Sequence, residues 1–598
     1  MFKTTNALRF LACWLLIVCL PALADTPQEE TSAATNQAST YEKPVYQDYD
    51  YALYEIQRLI LSHNLARAMQ RINELDNGDL NAMQVAKKQL LLAHLAIYRH
   101  NPKRAMRLLH RIKPNLNLLA SNDQITYHLL LAKAYKRSGY TFASIVQRVE
   151  LQPWLTSPLA QQYNRLQIWY GLQQFNAEQL ETLAKRHQTN ANLLAWIELA
   201  TLDQSTHGES DVFLHKLYRW QTEHPSHDAN HLLPTNLADA SDILLQTPPH
   251  HIALLLPLHG KYKGPGQAIR NGFMASYYNK IKDPKAPLTI RVYDTSQTND
   301  IQALYNQAVN NGATFVVGPL QKNHLRTLNH SRLAVPTLAL NYLDDARKPA
   351  HNLFFYGISP REEAEQSATH AWDDGRRRAI IIAPKGEWGE GIIGAFRNRW
   401  LNLGGEVMAI YQYQSQKTLS KDIAALFAIS DSKERARQLQ RIFGKRVKYS
   451  PRRREDFDMI FLIANSRMAR FIRPLIKYHY AGTIPIYATS LIYQGPLGHT
   501  REKDLNGIHF PDMPWLLSDD YDSARQALTK LWPNTFNHYA RLYALGMDAF
   551  LVSQSFTRLQ AFPHFALNGA SGDLLLTHQQ IYRVLPWARF ERGEVKRG

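Results

Sequence analysis

Cysteine is almost absent. The chain of 598 residues holds two, Cys13 and Cys19, both within the first 20 positions. A disulfide framework and a cysteine-ligated zinc site are thereby excluded downstream. Long apolar runs are also missing: after the N-terminus nothing approaches the roughly 18 uninterrupted apolar residues that a spanning helix needs. No G-x-S-x-G, H-E-x-x-H or G-x-x-x-x-G-K-[ST] occurs, so the best-marked hydrolase, metalloprotease and nucleotide-binding chemistries have no motif to stand on. The 24 histidines show no ligand spacing, and neither metal nor cofactor is expected. Acidic residues are scarce, 51 against 69 Lys and Arg, for a net charge of +18.

What is present begins with a targeting segment. Lys3 and Arg9 precede the apolar run 10–20, and Pro21 precedes Ala22-Leu23-Ala24. This predicts a secretory signal peptide over 1–24, too short to span. A competing reading makes Cys19 a lipidated residue, although the bulky Leu16-Ile17-Val18 before it fits lipoprotein processing poorly. Residues 25–45 are rich in Thr, Ser, Ala, Gln and Glu and read as a flexible linker.

From 46 to 224 the pattern is helical. Leu53, Ile56, Leu59 and Ile60 recur at three- and four-residue spacing, as do Leu90, Leu91, Leu95 and Tyr98. Asn64, Asn101 and Gly139 stand 37 and 38 residues apart, and each precedes an alanine by four positions: Ala68, Ala105 and Ala143. Helix pairs at this period, with a small residue where helices meet, predict a tetratricopeptide-like array, a surface for proteins rather than a catalytic scaffold. An irregular helical array is the alternative. Four prolines mark a linker over 225–250, within which one short helix is expected at 239–246.

From 251 to 598 apolar runs alternate with helical patterns. The stretch from His251 to Tyr278 opens it: a buried strand (252–258), a glycine-rich loop, then a helix carrying Ala268, Ile269, Phe273, Met274 and Tyr277. Further strands are expected near 288–293, 314–317, 337–340, 353–356, 379–382, 407–411, 459–463 and 484–487. The fold class predicted is an all-α domain followed by a two-lobed α/β domain with mostly parallel sheets. Lobe 1 is placed at about 251–360 and 497–560, lobe 2 at about 361–496 and 561–598. Crossings are expected near Pro360, within 490–498 and after Gln560.

Ligands of open parallel sheets meet the loops that follow the strands. The candidate cleft residues are His259, Lys261, Thr295, Pro319 and Asn341 from lobe 1, and Lys385, Glu387, Trp388, Asn465 and Ser490 from lobe 2. The bulk of His259, Tyr262 and Trp388 is enough to fill such a cleft. Ser430 and Lys433 form an S-x-x-K, but its usual partner motifs are absent and the surrounding helix reads as exposed. No catalytic residue is assigned. Between 433 and 454 ten basic residues stand against Glu434. Of these, Lys445, Arg446, Lys448, Arg452, Arg453 and Arg454 are the candidate docking set for an acidic partner face. Aromatic residues for base stacking are few there, and nucleic acid is not expected.

Several pieces of wording are specific. Besides the stretch 251–278 they include Gly318-Pro319-Leu320, Leu338-Ala339-Leu340-Asn341, Phe355-Tyr356-Gly357-Ile358-Ser359-Pro360, Trp388-Gly389-Glu390-Gly391, the run from Asp458 to Asn465, Leu545-Gly546-Met547-Asp548-Ala549 and the run from Leu567 to Gly572. In this order they resemble the LpoA family of penicillin-binding protein activators, lipoproteins of the LppC type. The resemblance implies a type I periplasmic-binding-protein fold for the C-terminal domain. It further implies a non-enzymatic role: binding a class A penicillin-binding protein and stimulating its cross-linking of peptidoglycan. The expected location is the periplasm at the inner face of the outer membrane, with membrane attachment only if Cys19 is lipidated and contact with peptidoglycan as a further possibility. A periplasmic solute-binding protein for transport or sensing is the alternative, and the helical N-terminal half, which such receptors do not need, speaks against it.

Overall fold

A computed structural model describes residues 48–62, 64–99, 101–206, 210–280, 288–343, 349–443, 451–495, 502–531 and 536–597. Two compact units result, one ending at Leu232 and the other beginning at Leu233. No helix among the described residues is long and apolar enough to cross a membrane. The expected signal peptide, Cys19 and nearly all of the linker at 25–45 lie outside the described residues.

The first unit is helical. α1 (Tyr49–Leu61) and α2 (Leu65–Glu74), α3 (Ala82–Tyr98) and α4 (Pro102–Ile112), and α5 (Ser121–Arg137) and α6 (Thr141–Leu151) pack as successive pairs. α3 touches both α1 and α5, so the pairs stack as in a helical repeat. α7 (Pro158–Leu172), α8 (Ala177–Arg186), α9 (Ala191–Ser205) and α10 (Ser210–Glu223) extend the array. Local sequence explains the helix starts. Asn81, Asn101, Asn176 and Asn190 each accept a backbone N–H of the first turn through their side chains, satisfying a donor the helix cannot satisfy itself. Ala68 and Ala105 are fully buried where helices meet. The third repeat departs from expectation. Its cap is Tyr140 rather than Gly139, so the buried small residue four positions on is Ser144, and Ala143 is only half-buried.

The second unit starts with α11 (Leu237–Leu244), which packs on α23 (Phe556–Ala561). Part of the expected linker is therefore a built element. Lobe 1 holds β1 (His251–Leu256), β2 (Thr289–Asp294), β3 (Phe315–Val317), β4 (Thr337–Ala339), β5 (Leu353–Phe355), β11 (Leu567–Gly569), β12 (Gly572–Thr577) and β13 (Gln580–Val584), in the order β11-β12-β13-β5-β4-β3-β1-β2. Lobe 2 holds β6 (Arg378–Pro384), β7 (Glu406–Tyr413), β8 (Met459–Leu462), β9 (Ile486–Ala488), β10 (Ile508–Pro511), β14 (Trp587–Glu591) and β15 (Glu594–Arg597), in the order β15-β14-β10-β9-β8-β6-β7. β1–β5 and β6–β10 are parallel within their sheets. The C-terminal strands complete both: in lobe 1 β13 joins β5 in parallel and β11–β13 alternate in direction, and in lobe 2 β14 joins β10 antiparallel and β15 follows it.

β1 shows why the apolar run is continuous. Ile252, Leu254 and Leu256 face α12 (Lys263–Lys280) and α22 (Phe536–Gln554), while Ala253 and Leu255 face α13 (Ile301–Asn310) and α14 (Lys322–Asn329). A strand covered on both faces has no polar position to alternate with. α12 and α22 cross at two glycines. A Cβ on Gly272 would lie 2.0 Å from the carbonyl oxygen of Tyr543, and one on Gly546 would lie 2.1 Å from that of Ile269. In lobe 2, α15 (Pro360–Asp373) and α16 (Glu387–Asn402) cover one face, and α17 (Leu419–Leu426) and α19 (Ser466–Ile476) the other.

Two expected crossings move. β10 pairs with β9, so the chain stays in lobe 2 past Pro511 instead of leaving within 490–498. β11–β13 belong to lobe 1, so the last crossing follows Val584 rather than Gln560. The reason is pairing at long range: Gln580 aligns with Phe355, and nothing local to 567–584 states which sheet it joins.

Candidate functional site

All ten expected cleft residues sit where parallel strands end. His259 and Lys261 follow β1, Thr295 follows β2, Pro319 β3 and Asn341 β4; Lys385, Glu387 and Trp388 follow β6, Asn465 β8 and Ser490 β9. Four of them, His259, Asn341, Asn465 and Ser490, spend polar groups on the protein itself. Asn341 Nδ2 donates to Leu320 O at 2.9 Å. Asn465 Oδ1 accepts from Met468 N at 2.9 Å, capping α19. His259 Nδ1 contacts Asp294 Oδ2, and the Leu258 N–H and the Ser296 hydroxyl donate to Asp294 Oδ1 at 2.8 and 2.5 Å. Burial acts to raise the Asp294 pKa, but these hydrogen bonds hold the carboxyl well below the usual carboxylate range. Lys385, Glu387 and Trp388 remain exposed, and Thr295 is buried.

Ser490 does not line an open cleft. Its N–H and hydroxyl donate to the two oxygens of Glu363 at 2.9 and 3.0 Å. Its carbonyl accepts from Arg541 Nη2 at 2.9 Å. Arg541 belongs to α22 of lobe 1, and the groups it reaches follow strands of lobe 2. Nη2 donates also to Tyr493 O at 2.8 Å and to Asp512 Oδ2 at 2.6 Å, and Nε donates to Asp512 Oδ1 at 3.0 Å. Asp512 has no exposure at all. Burial alone would lower the Arg541 pKa, but Asp512 outweighs it and the value is raised. A second bridge joins β13 to α15. Gln580 Nε2 donates to Glu362 Oε1 at 2.7 Å, Gln366 Nε2 donates to Arg583 O at 2.8 Å, and Arg583 Nη2 lies 4.0 Å from Glu362 Oε2. Burial pushes Glu362 up to about 7 in spite of Arg583. The three crossings thus run beside a buried polar junction between the lobes.

A third polar knot explains three pieces of the specific wording at once. Asp548 of α22 accepts from the N–H groups of Ala570 and Ser571, each at 2.7 Å, and Tyr356 OH shares a 2.7 Å hydrogen bond with Ser571 Oγ. Burial pushes Asp548 up to about 6 against these hydrogen bonds. Glu362, Glu363, Asp512, Arg541 and Arg583 were not readable as site residues. Glu362 and Glu363 stand in the first turn of a helix, where acids are common on exposed surfaces, and only the fold buries them.

The basic stretch is less uniform than its sequence. Lys445, Arg446 and Lys448 lie outside the described residues. Arg452 is exposed, but Arg453 and Arg454 are half-buried, so the expected docking set is not uniformly at the surface. Arg453 lies over the Phe457 ring, 5.3 Å from its centre, and Arg454 Nε and Nη2 bond the Asp456 carboxylate at 2.6 and 2.5 Å. Asp456, two residues on, neutralises Arg454. The adjoining α18 (Ile429–Phe443) adds what the charge pattern hid. Its last turns expose Leu439, Ile442 (74%) and Phe443 (64%) among Arg437 and Arg441. Ser430 and Lys433 are exposed on the same helix.

The helical unit and the two-lobed domain, with parallel strands ending at a buried inter-lobe junction, define a protein of helical-repeat plus periplasmic-binding-protein-like architecture. The sequence profile of the family described as "LppC putative lipoprotein" matches residues 26–593, and the chain belongs to that family. It is 30% identical over 558 residues to a Vibrio antiquarius protein named penicillin-binding protein activator LpoA, covering 91% of this chain and 90% of that one. A Photobacterium profundum protein of the same name is 27% identical, with 98% and 97% covered. Among solved structures, Haemophilus influenzae LpoA superimposes with a TM-score of 0.50 at 23% identity, covering 94% of this chain and 95% of that chain, a likeness of fold.

Proposed function

We propose that this chain is a non-enzymatic regulator of peptidoglycan synthesis that binds a class A bifunctional penicillin-binding protein and stimulates its transpeptidase activity. The observation that carries this reading is the 30% identity to a named penicillin-binding protein activator across 91% of the chain. The strand-end loops support a binding role without solute transport: Asn341, Asn465, Ser490 and Asp294 are already committed to internal hydrogen bonds. The mechanism is a population shift. An activator that binds the active form of the synthase more tightly raises its population, and tenfold stimulation needs only about 1.4 kcal/mol of differential binding.

The docking face we assign runs along α18, from Arg452, whose N–H donates to Ser432 Oγ at 3.2 Å near the start of the helix, to the apolar residues at its end. Exposed Leu439, Ile442 and Phe443 flanked by arginines have the make-up of an interface centre, apolar anchors beside guanidinium groups. The partner face would be acidic. The family's description as a lipoprotein favours Cys19 as the lipid attachment point, which would hold the chain in the periplasm at the inner face of the outer membrane; mass spectrometry of the exported protein distinguishes this from cleavage after Ala24. The deciding experiment measures cross-linking by a purified class A penicillin-binding protein with and without the full chain. Stimulation by the wild type, lost in Phe443→Glu while the fold is retained, supports both role and face. Absence of stimulation by the wild type overturns the role.

A further inference from the structure

We propose that His370, Asp374 and His509 form a binding site for one divalent cation of the zinc class, on the face of the lobe 2 sheet covered by α15. One ligand atom from each of the three lies within 4.8 Å of the other two. The arrangement follows from two periodicities. His370 is in the last turn of α15 and Asp374 caps it, the Asp374 N–H donating to His370 O at 2.9 Å; residues four apart share a helix face. Along the strands the period is two. Ile486 and Ala488, Ile508 and Phe510, and Ala588 and Phe590 all enter the core on the far side of the sheet. Tyr487, His509 and Trp587, which alternate with them, therefore point toward α15.

The donors are held by neighbours. His370 stacks on Trp587 with ring centres 3.7 Å apart and planes 6° apart. Tyr487 OH donates to Asp374 Oδ2 at 2.7 Å, and that same oxygen is 3.7 Å from His370 Nε2. Oriented imidazoles with a carboxylate fixed by an outer hydrogen bond are how zinc-class sites are built. Two nitrogens and one oxygen suit Zn²⁺, Ni²⁺ or Cu²⁺ better than Mg²⁺ or Ca²⁺, which favour oxygen alone. Tetrahedral bonding at about 2.0–2.1 Å puts ligand atoms roughly 3.4 Å apart, so the cluster closes by side-chain rotation of about an ångström. All three residues are half-buried, leaving room for a water as fourth ligand. Arg376 acts on Tyr487, the hydrogen-bond partner of Asp374, and a guanidinium this near opposes a bound cation. A bound ion would fasten α15, the first element after the crossing at Pro360, to β10.

The test uses the full chain without a polyhistidine tag, stripped with chelator and titrated with Zn²⁺ by calorimetry and with Co²⁺ by visible absorption. Expected are one saturating equivalent, a Co²⁺ band of tetrahedral strength and a rise in Tm. His370→Ala and His509→Gln should each weaken binding at least about tenfold, and Arg376→Gln should tighten it. Should a histidine variant fail to fold, Asp374→Asn decides the same point. No saturable binding by the wild type, or equal binding by the folded variants, overturns the site.

Discussion

Lobe 1 and lobe 2 share one plan, five parallel strands completed by strands from the C-terminus, yet they use their surfaces differently. Lobe 1 crosses two of its own helices backbone to backbone. α12 and α22 meet at Gly272 and Gly546, and Asp548 pins the β11–β12 turn. Lobe 2 leaves chemistry outside: the apolar end of α18 and Arg452. A duplicated architecture thus tolerates specialisation, because a helix layer needs only one face buried to be stable and the other is free to vary.

The junction between the lobes offers the largest way to break that comparison. Arg541→Ala would leave Asp512 buried without its charge partner, and loss of about 3–5 kcal/mol is expected; urea unfolding of the full chain measures it, and a change below about 1 kcal/mol would show that the lobes do not depend on this pair. Next come the glycines. Gly272→Ala in lobe 1 puts a methyl against a carbonyl oxygen and should cost about 2–3 kcal/mol. Gly394→Ala in α16 of lobe 2 meets open space and should gain up to about 1 kcal/mol from helix propensity. Equal shifts in Tm from these two variants would erase the distinction drawn between the lobes.

pH gives a smaller effect. The folded pKa of Glu362 is raised to about 7 from 4.5 by burial. The folded state therefore holds a proton that the unfolded state has released, and stability falls as pH rises from about 4.5 to 7. Asp548, raised to about 6, acts in the same direction. Moving from pH 7.5 to 5 should stabilise the C-terminal domain by about 1–3 kcal/mol, and Glu362→Gln should flatten part of that slope in thermal melts. Smallest is the surface. Arg452→Ala should slow association with the proposed penicillin-binding protein partner by a few-fold at low salt and less at moderate salt, without changing Tm. An unchanged rate would remove Arg452 from the docking face.

Much of this was legible locally. The continuous apolar run of β1 predicted burial on both faces before any neighbour was known, and Asn64 and Asn101 marked helix starts that the structure retains. The third repeat was misplaced by one residue because Gly139 resembles a loop end, whereas Tyr140 takes the cap position. The strand-end candidates fell where expected because strand ends are local features. Their partners were hidden: Ser490 and Glu363 are 127 positions apart.

By itself the sequence determined the order of the elements, the division into a helical and an α/β unit and the basic character of 433–454, since periodicity, caps and charge are properties of neighbouring residues. Only the tertiary structure decided which sheet β10–β13 join, which arginines remain exposed, and that His370 and Asp374 meet His509. Those outcomes depend on pairing between distant segments. A strand's alternation states which of its faces is apolar, but not which strand will lie beside it.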